Sequence, residues 1–351
     1  MMQEPIFVLI SLSGRSYSRT GVYLNSNAFS NSNHSFIEID KGLSNSILHL
    51  KKIIKLYKNQ NVVFAILSPS HYLVIPLRIL WRGQIVLDAG WPLTDGTLSR
   101  NFSKLKSLKR LKTFFIDFFA FQMASVIILE SNAQKKRISR EFHVKAKKIE
   151  VLYTGFDENS YKSPAIQPKE FERIDDKKPT VLFRGSYNPE SGLDILSEIS
   201  HLPAANRFNL LICTNSSEPI KTFSNSTIII IRRLDVSEIK WIYENASVVI
   251  GQISNAKRLD LTIPHKAFEA GYFGKPYISS DGSGIRELYD SESQIAYLKQ
   301  SSCIEVINKI EKLLHDQDYA RKLGRNMQTQ YNKIASQEIL SEAFLSIVQG
   351  S

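Results

Sequence analysis

The feature that most limits the fold of this chain is a series of short apolar segments with helical stretches between them. Within each segment the apolar residues are continuous instead of alternating, which is typical of strands buried on both faces of a parallel sheet. Strands that alternate with helices imply right-handed crossovers. The sequence therefore predicts an α/β protein with two parallel sheets. The predicted strands lie within 6–11, 61–68, 84–91, 125–132, 148–157, 180–183, 209–213, 227–231, 247–251 and 277–278.

A length of 351 residues is ample for two domains of ordinary size. The segment 163–179 contains proline and charged residues and has no periodicity, so we expect it to hold the hinge between domains. The predicted organisation is an N-terminal domain over 1–165, a C-terminal domain over 177–331 and a last helix within 332–351.

Charge and cysteine content narrow the class of protein. A net charge of +11 and a pI near 9.4 imply anionic partners, but do not choose among nucleotides, lipid headgroups and nucleic acid. Cys213 and Cys303 are too few and too far apart for a disulfide scaffold, which favours a reducing cytoplasm. We find no secretory signal, and the nearest apolar run, 114–129, contains Asp117 and Gln122, so no membrane span is expected.

The stretch 262–287 predicts a loop, a short helix, a tight turn and a short strand. Pro264 suits the start of a helix, because its φ is helical and its missing N–H would be unpaired there. Gly274 is a helix stop, and Pro276 prevents continuation before the strand at Tyr277 and Ile278.

The amino terminus of this helix is a predicted anion site. Unpaired N–H groups and the helix dipole favour negative charge there, and Lys266 lies in the first turn. Glu269, about one turn later, could accept hydrogen bonds from a pair of ribose hydroxyls. The alternative is an ordinary surface ion pair between Lys266 and Glu269, three residues apart.

Two loops of the N-terminal half are expected at the carboxyl ends of strands, where parallel sheets bind ligands. The first, 13–21, contains Gly14, Arg15 and Arg19, and its alternative is a plain surface turn with solvated arginines. In the second, Asp88 and Trp91 could bind a sugar. The carboxylate could accept hydrogen bonds from the sugar hydroxyls, and the indole could stack on the sugar ring.

Between Lys104 and Phe121, basic residues alternate with leucines and are followed by phenylalanines. A basic amphipathic helix of this kind lies in a membrane interface, and each basic residue near an anionic leaflet adds about 1 kcal/mol. A core helix with a solvated basic side gives the same pattern. The residues expected on the apolar face are Leu105, Leu108, Leu111, Phe115 and Phe118.

The pattern Pro-x-Lys-x-Phe-Glu-Ala, continued by Gly-Lys-Pro-x-Ile-x-Ser-Asp-x-x-Gly-Ile-x-Glu, resembles the C-terminal nucleotide-sugar site of GT-B glycosyltransferases, particularly the retaining family four. The run 148–157 is similar to a second passage of that family. The resemblance implies two Rossmann-like domains that face a central cleft and a terminal helix that crosses back to the first domain. It also implies that Glu269 holds the ribose of the donor.

The sequence departs from the family at three positions. Ser186 and Ser191 stand where an arginine and a lysine usually reach the diphosphate, and Leu261 stands where a glutamate is usual. Arg184 and Arg258 could compensate for the missing charges, although Arg184 could instead pair with Glu190. Asp260 could substitute for the missing glutamate.

The resemblance implies a transferase that moves a sugar, with retention, from a nucleotide diphosphate sugar to a lipid-linked or glycan acceptor. No Asp-x-Asp element ends a strand, so neither a metal nor another cofactor is expected. An anionic membrane surface is an expected partner through Lys104–Phe121, and the expected location is cytoplasmic, at the inner face of the plasma membrane. Nucleic acid is not expected, because the aromatic residues do not interleave with the basic ones.

Other functions stay open. An inverting transferase and a nucleotide- or glycan-binding scaffold without catalysis would share this fold. The expected catalytic residues are Lys266, Arg184 and Arg258. The expected donor contacts are Gly14, Gly185, Ser186, Pro264, His265, Lys266 and Glu269. The expected acceptor contacts are Arg15, Asp88 and Trp91.

Overall fold

The computed structural model describes residues 5–15, 17–39, 42–98, 104–188, 191–215, 222–224 and 226–350. By its contacts the chain divides into two compact units. The first comprises residues 1–157 together with 337–351, and the second comprises residues 158–336. Each unit contains a six-stranded sheet, and all strand pairs are parallel. The predicted α/β class with two parallel sheets is confirmed.

Strands and helices alternate along most of the described chain. The strands are β1 (Ile6–Ser11), β2 (His34–Glu38), β3 (Val62–Leu67), β4 (Ile85–Gly90), β5 (Val126–Leu129), β6 (Ile149–Val151), β7 (Thr180–Arg184), β8 (Asn209–Cys213), β9 (Ile228–Ile230), β10 (Val248–Ile250), β11 (Tyr277–Ser280) and β12 (Ala296–Leu298). The helices are α1 (Ser18–Leu24), α2 (Asn27–Ser30), α3 (Leu43–Tyr57), α4 (Val74–Leu80), α5 (Leu93–Leu98), α6 (Lys104–Met123), α7 (Asn132–Glu141), α8 (Leu193–Ser200), α9 (Val236–Asn245), α10 (His265–Tyr272), α11 (Ser283–Leu288), α12 (Cys303–His315), α13 (Gln317–Ile334) and α14 (Gln337–Gln349).

The strand orders are β2-β1-β3-β4-β5-β6 in the first unit and β12-β11-β10-β7-β8-β9 in the second. All ten predicted strands are present. The two strands that the sequence patterns did not indicate, β2 and β12, each lie at an edge of a sheet. β2 is only partly buried and β12 has three residues, so neither produces a long apolar run.

The first sheet is covered on both faces, as its continuous apolar strands require. On one face Ile10 and Ile66 pack in a core with Leu50 of α3, Leu77 of α4 and Phe121 of α6. Each fully buried side chain of this size contributes about 1.5–3 kcal/mol. Helices α3, α4 and α6 therefore form one layer.

The opposite face of the first sheet is covered by α1, α2 and α14. Leu9 of β1 shares this core with Tyr23 of α1, Phe29 of α2 and Phe344 of α14. The rings of Tyr23 and Phe344 stack with their centroids 4.0 Å apart. The carboxyl-terminal helix is thus part of the first unit.

The proline-containing segment 163–179 packs on the second unit. The Ile166 N–H donates to the Ser237 carbonyl at 3.1 Å, and the ring centroids of Phe171 and Trp241 are 4.4 Å apart. These contacts explain why the segment is grouped with residues 158–336.

Helix α6 has the length that its sequence predicts but a different apolar face. Leu108, Leu111 and Phe115 are exposed, together with Phe119. Phe118, expected in this stripe, instead packs against the core, and the side chain of Leu105 lies outside the described residues. The expectation for Phe118 is therefore wrong. Among the described helices, none is both long enough and apolar enough to cross a membrane.

Candidate donor site in the second unit

Helix α10 begins and ends where its sequence predicts. Pro264 is the N-cap, with an extended ψ of 134°, and the helix runs from His265 to Tyr272. At the other end Gly274 has φ of +62°, and the Lys275 N–H reaches back to the Ala270 carbonyl at 2.9 Å. This is a Schellman motif, which requires the left-handed conformation that glycine adopts readily.

Glu269 is buried on α10 and has three partners. Its Oε1 accepts a hydrogen bond from Arg184, at the end of β7, and lies 3.3 Å from His265 Nδ1. Its Oε2 accepts a hydrogen bond from the Tyr243 hydroxyl at 2.5 Å. Burial acts to raise the pKa of Glu269, but Arg184, His265 and the Tyr243 hydrogen bond lower it to about 2. The carboxylate is ionised throughout the physiological range.

Lys266 is also buried, although it lies in the first turn of α10. Its Nζ donates to the Gly251 carbonyl at 3.0 Å and lies 3.9 Å from the centroid of the Phe183 ring. Burial, reinforced by the charge of Arg184, lowers the pKa of Lys266 to about 7. The alternative interpretation, a surface ion pair between Lys266 and Glu269, is therefore wrong, since both side chains are buried and each has other partners.

Gly185 explains how Lys266 reaches this position. A Cβ built on Gly185 would lie 3.3 Å from Lys266 Nζ, which is tighter than most van der Waals contacts. The absence of a side chain at residue 185 leaves room for the ammonium group beside the loop that follows β7.

A cavity of about 480 Å³ lies next to this loop, at the carboxyl ends of β7, β8 and β9. Arg184, Gly185 and Ser186, which the sequence predicted, line it. The Thr214 hydroxyl is buried and has no hydrogen-bond partner among the described residues. The remaining lining residues were not predicted, although they follow β8 and β9 and the strand-end rule could have found them. They are Cys213, Thr214, Asn215, Arg232, Arg233, Leu234, Val236 and Ile239.

Several side chains singled out in the sequence have structural partners here. The Ser191 hydroxyl donates to the Asn188 carbonyl at 2.6 Å, so it braces the loop after β7. Asp260, considered as a substitute for the missing glutamate, accepts a hydrogen bond from the Ser283 N–H at 3.1 Å, at the start of α11. Arg258 lies half-buried in the single turn Lys257–Leu261. Glu190 lies outside the described residues.

Asp88 in the first unit is half of a buried ion pair. Its two oxygens lie 2.7 and 2.8 Å from Arg19 Nε, and both residues are about 1% exposed. Arg19 also donates to the Thr154 hydroxyl and the Leu152 carbonyl. This arrangement corrects the expectation for Asp88, because the carboxylate is not open to an acceptor.

The other predicted residues of the first unit lie nearer the surface. Arg15 is exposed, with its guanidinium carbon 5.3 Å from the centroid of Phe36. Trp91 is half-buried just after β4. Gly14 has φ of +70°, and a Cβ there would come within 2.8 Å of the Glu38 carboxylate. Within the described ranges, no three His, Cys, Asp or Glu side chains cluster in a way that could hold a metal ion.

Comparison with known proteins identifies the class. Residues 166–330 match the family model described as glycosyl transferases group 1. The structure is similar to sucrose-phosphate synthase from Thermosynechococcus elongatus, with a TM-score of 0.73, 14% identity and coverage of 99% of this chain and 98% of that one. None of the curated protein sequences matches the chain.

Two further solved structures share the fold. HepE from Anabaena, in complex with UDP-glucose, has a TM-score of 0.72 and 13% identity over 99% of this chain and 100% of that one. UDP-GlcNAc 2-epimerase from Neisseria meningitidis, bound to UDP-GlcNAc, has a TM-score of 0.58 and 10% identity over 99% and 100% of the two chains. At such low identities the likeness shows the fold alone.

The fold is therefore the GT-B fold, as the sequence pattern predicted. Residues 166–330, in the second unit, form a glycosyl transferases group 1 domain, which supports a glycosyltransferase enzyme.

Proposed function

We propose that the protein transfers a sugar, with retention of anomeric configuration, from a nucleoside diphosphate sugar to an acceptor. The observation that carries this proposal is the ionised, buried Glu269, which is held by Arg184, His265 and Tyr243, with Arg184 also lining a cavity. Structures of similar fold were solved with UDP-glucose and UDP-GlcNAc, which supports a nucleotide sugar as donor.

The three parts of a donor nucleotide correspond to three parts of the proposed site. The cavity beside Thr214 and Leu234 would take the base, because it combines apolar walls with hydrogen-bonding groups. The ribose hydroxyls would bind at Glu269, whose carboxylate is as buried as that of Asp88 but whose partner Arg184 is 26% exposed and lines the cavity. The diphosphate would lie at the amino terminus of α10, near Lys266 and the Gly185 loop.

Charge supports the proposed position of the diphosphate. Arg184 and Lys266 bring two cationic groups to a region where Glu269 is their common acidic neighbour. A diphosphate would supply the negative charge that balances them. These cations would contact the diphosphate in place of the arginine and lysine that Ser186 and Ser191 replace.

In the proposed reaction, the bond between the anomeric carbon and the diphosphate oxygen breaks while the acceptor oxygen bonds to that carbon. The departing phosphate oxygen takes the proton of the acceptor hydroxyl, so no separate base is needed. Lys266, Arg184 and the α10 N–H groups would stabilise the charge on the leaving group, each well-placed donor contributing about 3 kcal/mol. We propose that the reaction needs no metal ion, and Arg258 remains a proposed further cation.

The proposed acceptor is a lipid-linked or surface-polysaccharide intermediate at the inner face of the plasma membrane. The exposed stripe of α6, with Leu111 and Phe115 beside Lys112, supports a contact with an anionic leaflet. Arg15, Gly14 and Trp91 remain proposed contacts of the first unit.

A second function is favoured by specific observations. Two family cations are replaced by Ser186 and Ser191, and Arg184 is occupied by Glu269. A binding protein without catalysis would therefore bind the nucleotide sugar but not transfer or hydrolyse it. Product analysis by mass spectrometry after long incubation with donor and membrane extract separates the two functions.

A thermal-shift screen against UDP-, GDP-, ADP- and CMP-sugars tests the donor site. A ligand at about 100 times its dissociation constant adds about 2.7 kcal/mol to the unfolding free energy. Glu269→Gln, which keeps the side-chain volume, should remove most of this shift, whereas the exposed control Glu292→Gln should retain it. A full ligand response in Glu269→Gln would remove Glu269 from the site.

A further inference from the structure

We propose that the outer surface of α3, α4 and α6, here called the three-helix face, docks on an anionic lipid bilayer. The proposal extends the membrane contact from α6 to a whole layer of the first unit. It rests on the proposed function only for its expectation of a lipid-linked acceptor.

The three helices form a continuous layer. They share one hydrophobic core on the same face of the first sheet, and α4 contacts both α3 and α6. On α3 the buried residues Leu50, Ile53 and Tyr57 recur at helical spacing, so Leu48 and Leu56 face away from the core. The outward residues of the three helices therefore belong to a single surface.

This surface exposes an unusual amount of apolar side chain. Among the described residues, thirteen large hydrophobic side chains are exposed, and seven of them lie on these three helices. Clusters of exposed apolar residues mark interaction surfaces, whereas single ones need no explanation. The seven, with their exposed fractions, are Leu48 (53%), Leu56 (69%), Ile79 (75%), Leu108 (69%), Leu111 (52%), Phe115 (48%) and Phe119 (44%).

The charge of the same surface is entirely positive. Within the described side chains of 45–60, 74–83 and 108–123, the sole carboxylate is Asp117, which is buried and accepts hydrogen bonds from Leu93 and Thr94. Basic side chains are therefore not neutralised by acidic residues of their own helices. The exposed basic residues are Lys51, Lys52, Lys55, Lys58, Arg82, Lys109, Arg110 and Lys112.

An anionic bilayer matches both properties. Apolar side chains enter the boundary between headgroups and acyl chains while lysines remain at the headgroups. A second copy of the chain would bring like charges together, which opposes self-association. Single-stranded nucleic acid would use aromatic stacking platforms, whereas three of the seven apolar residues are aliphatic residues of α3 and α4.

Co-sedimentation with vesicles tests the proposal. The full chain should bind phosphatidylcholine vesicles that contain phosphatidylglycerol and bind pure phosphatidylcholine vesicles weakly. Lys51→Gln/Lys55→Gln should weaken binding about 25-fold, because each lysine near an anionic surface contributes roughly a factor of five. The matched control is Lys322→Gln/Lys333→Gln, two exposed lysines of α13, which should leave binding unchanged.

The apolar component has its own variants. Leu111→Gln/Phe115→Gln should lower vesicle binding by at least about tenfold, since both side chains lose their transfer into the interface. Ile304→Gln is the control, because Ile304 is 72% exposed on α12 in the second unit. The melting temperature of each variant, which should match that of the parent, excludes misfolding as the cause.

Any of the following results would overturn the proposal. They are equal binding to neutral and anionic vesicles, an α3 variant that behaves like its α13 control, and a concentration-dependent dimer in sedimentation velocity that the same substitutions abolish. Stronger binding to single-stranded RNA than to vesicles would also contradict it. Because donor-induced thermal shifts should persist in all of these variants, failure of the docking proposal is distinguishable from failure of the donor site.

Discussion

Each unit of the chain contains a buried pair of arginine and carboxylate, and the two pairs differ in their surroundings. In the first unit, Arg19 and Asp88 are both fully buried. Arg19 donates further hydrogen bonds to the Thr154 hydroxyl and the Leu152 carbonyl. In the second unit, Glu269 is equally buried, but the Arg184 side chain is 26% exposed and lines a cavity.

Arg19 and Asp88 form a structural pair, whereas we propose that the pair of Arg184 and Glu269 binds a ligand. The hydrogen bonds of Arg19 go to protein groups, namely Asp88, Thr154 and Leu152. Around Glu269 a second cation, Lys266, is buried nearby, and its lowered pKa reflects the burial and the like charge of Arg184. An excess of buried positive charge beside a cavity is costly unless an anion binds there.

The largest expected effect is on stability, in the first unit. Asp88→Ala should lower the free energy of unfolding by about 3–5 kcal/mol, because it leaves Arg19 buried and unpaired. Chemical denaturation measures this. Glu311→Ala is the control: its partner Arg207 is 73% exposed, so its loss should cost less than about 1 kcal/mol. A small effect at Asp88 would mean that its ion pair is not structurally important.

Lys266→Met should weaken donor binding and leave stability nearly unchanged, whereas Asp88→Ala should lower stability. The free energy of unfolding should stay within about 1 kcal/mol of the parent value or rise, because an apolar side chain replaces a poorly solvated ammonium. Donor affinity, measured by calorimetry, should fall about 10- to 100-fold, the value of a hydrogen bond to a charged group. Undiminished donor affinity would place the diphosphate elsewhere.

Donor affinity should depend on pH through the protonation of Lys266. A bound diphosphate favours the protonated form of Lys266, whose pKa is about 7, so affinity should fall as the pH rises from about 6 to about 9. Glu269, with a pKa of about 2, stays ionised over this range and cannot produce the trend. Calorimetry in buffers of different ionisation enthalpy should detect proton uptake on binding, and Lys266→Met should abolish it.

The lowered pKa of Lys266 should also make the stability of the ligand-free protein depend on pH. Because the pKa of Lys266 falls from 10.5 to about 7 on folding, the unfolded chain binds more protons between these values. The contribution of Lys266 to stability should therefore rise with pH through this window and be lost as the pH falls below it. Denaturation of the parent and of Lys266→Met across the window should differ in slope.

The smallest expected effect is that of Gly185→Ala. The added methyl group would lie 3.3 Å from Lys266 Nζ and displace the ammonium slightly. Donor affinity should fall about fivefold, equivalent to about 1 kcal/mol, with little change in stability. Gly96→Ala is the control, since its Cβ would meet nothing within 4 Å. Equal donor affinity in both variants would contradict the proposed role of the opening at Gly185.

The sequence predicts ten of the strands and α10 well because their signals are local. Continuous apolar runs indicate buried strands, and Pro264, Gly274 and Pro276 delimit the helix and its turn. The edge strands β2 and β12 lack such runs. Elements with a strong local sequence signal could therefore be predicted, whereas short or partly buried strands could not.

The partners of the site residues could not be predicted in the same way. Arg184 is 85 residues from Glu269 along the chain, and Arg19 is 69 residues from Asp88. At the sequence level Asp88 and Glu269 therefore look alike: each is a carboxylate expected near a ligand site. Only the folded structure distinguishes the pair closed by protein groups from the pair beside a cavity.

Calorimetric titration with UDP-glucose, followed by GDP-, ADP- and CMP-sugars, is the direct test of whether Glu269 lies in a donor site. The parent protein should bind at least one of these donors at a single site, and Glu269→Gln should bind it at least about tenfold more weakly, a loss of 1.4 kcal/mol or more. No binding of any donor by the parent, or equal affinity in Glu269→Gln, would contradict it.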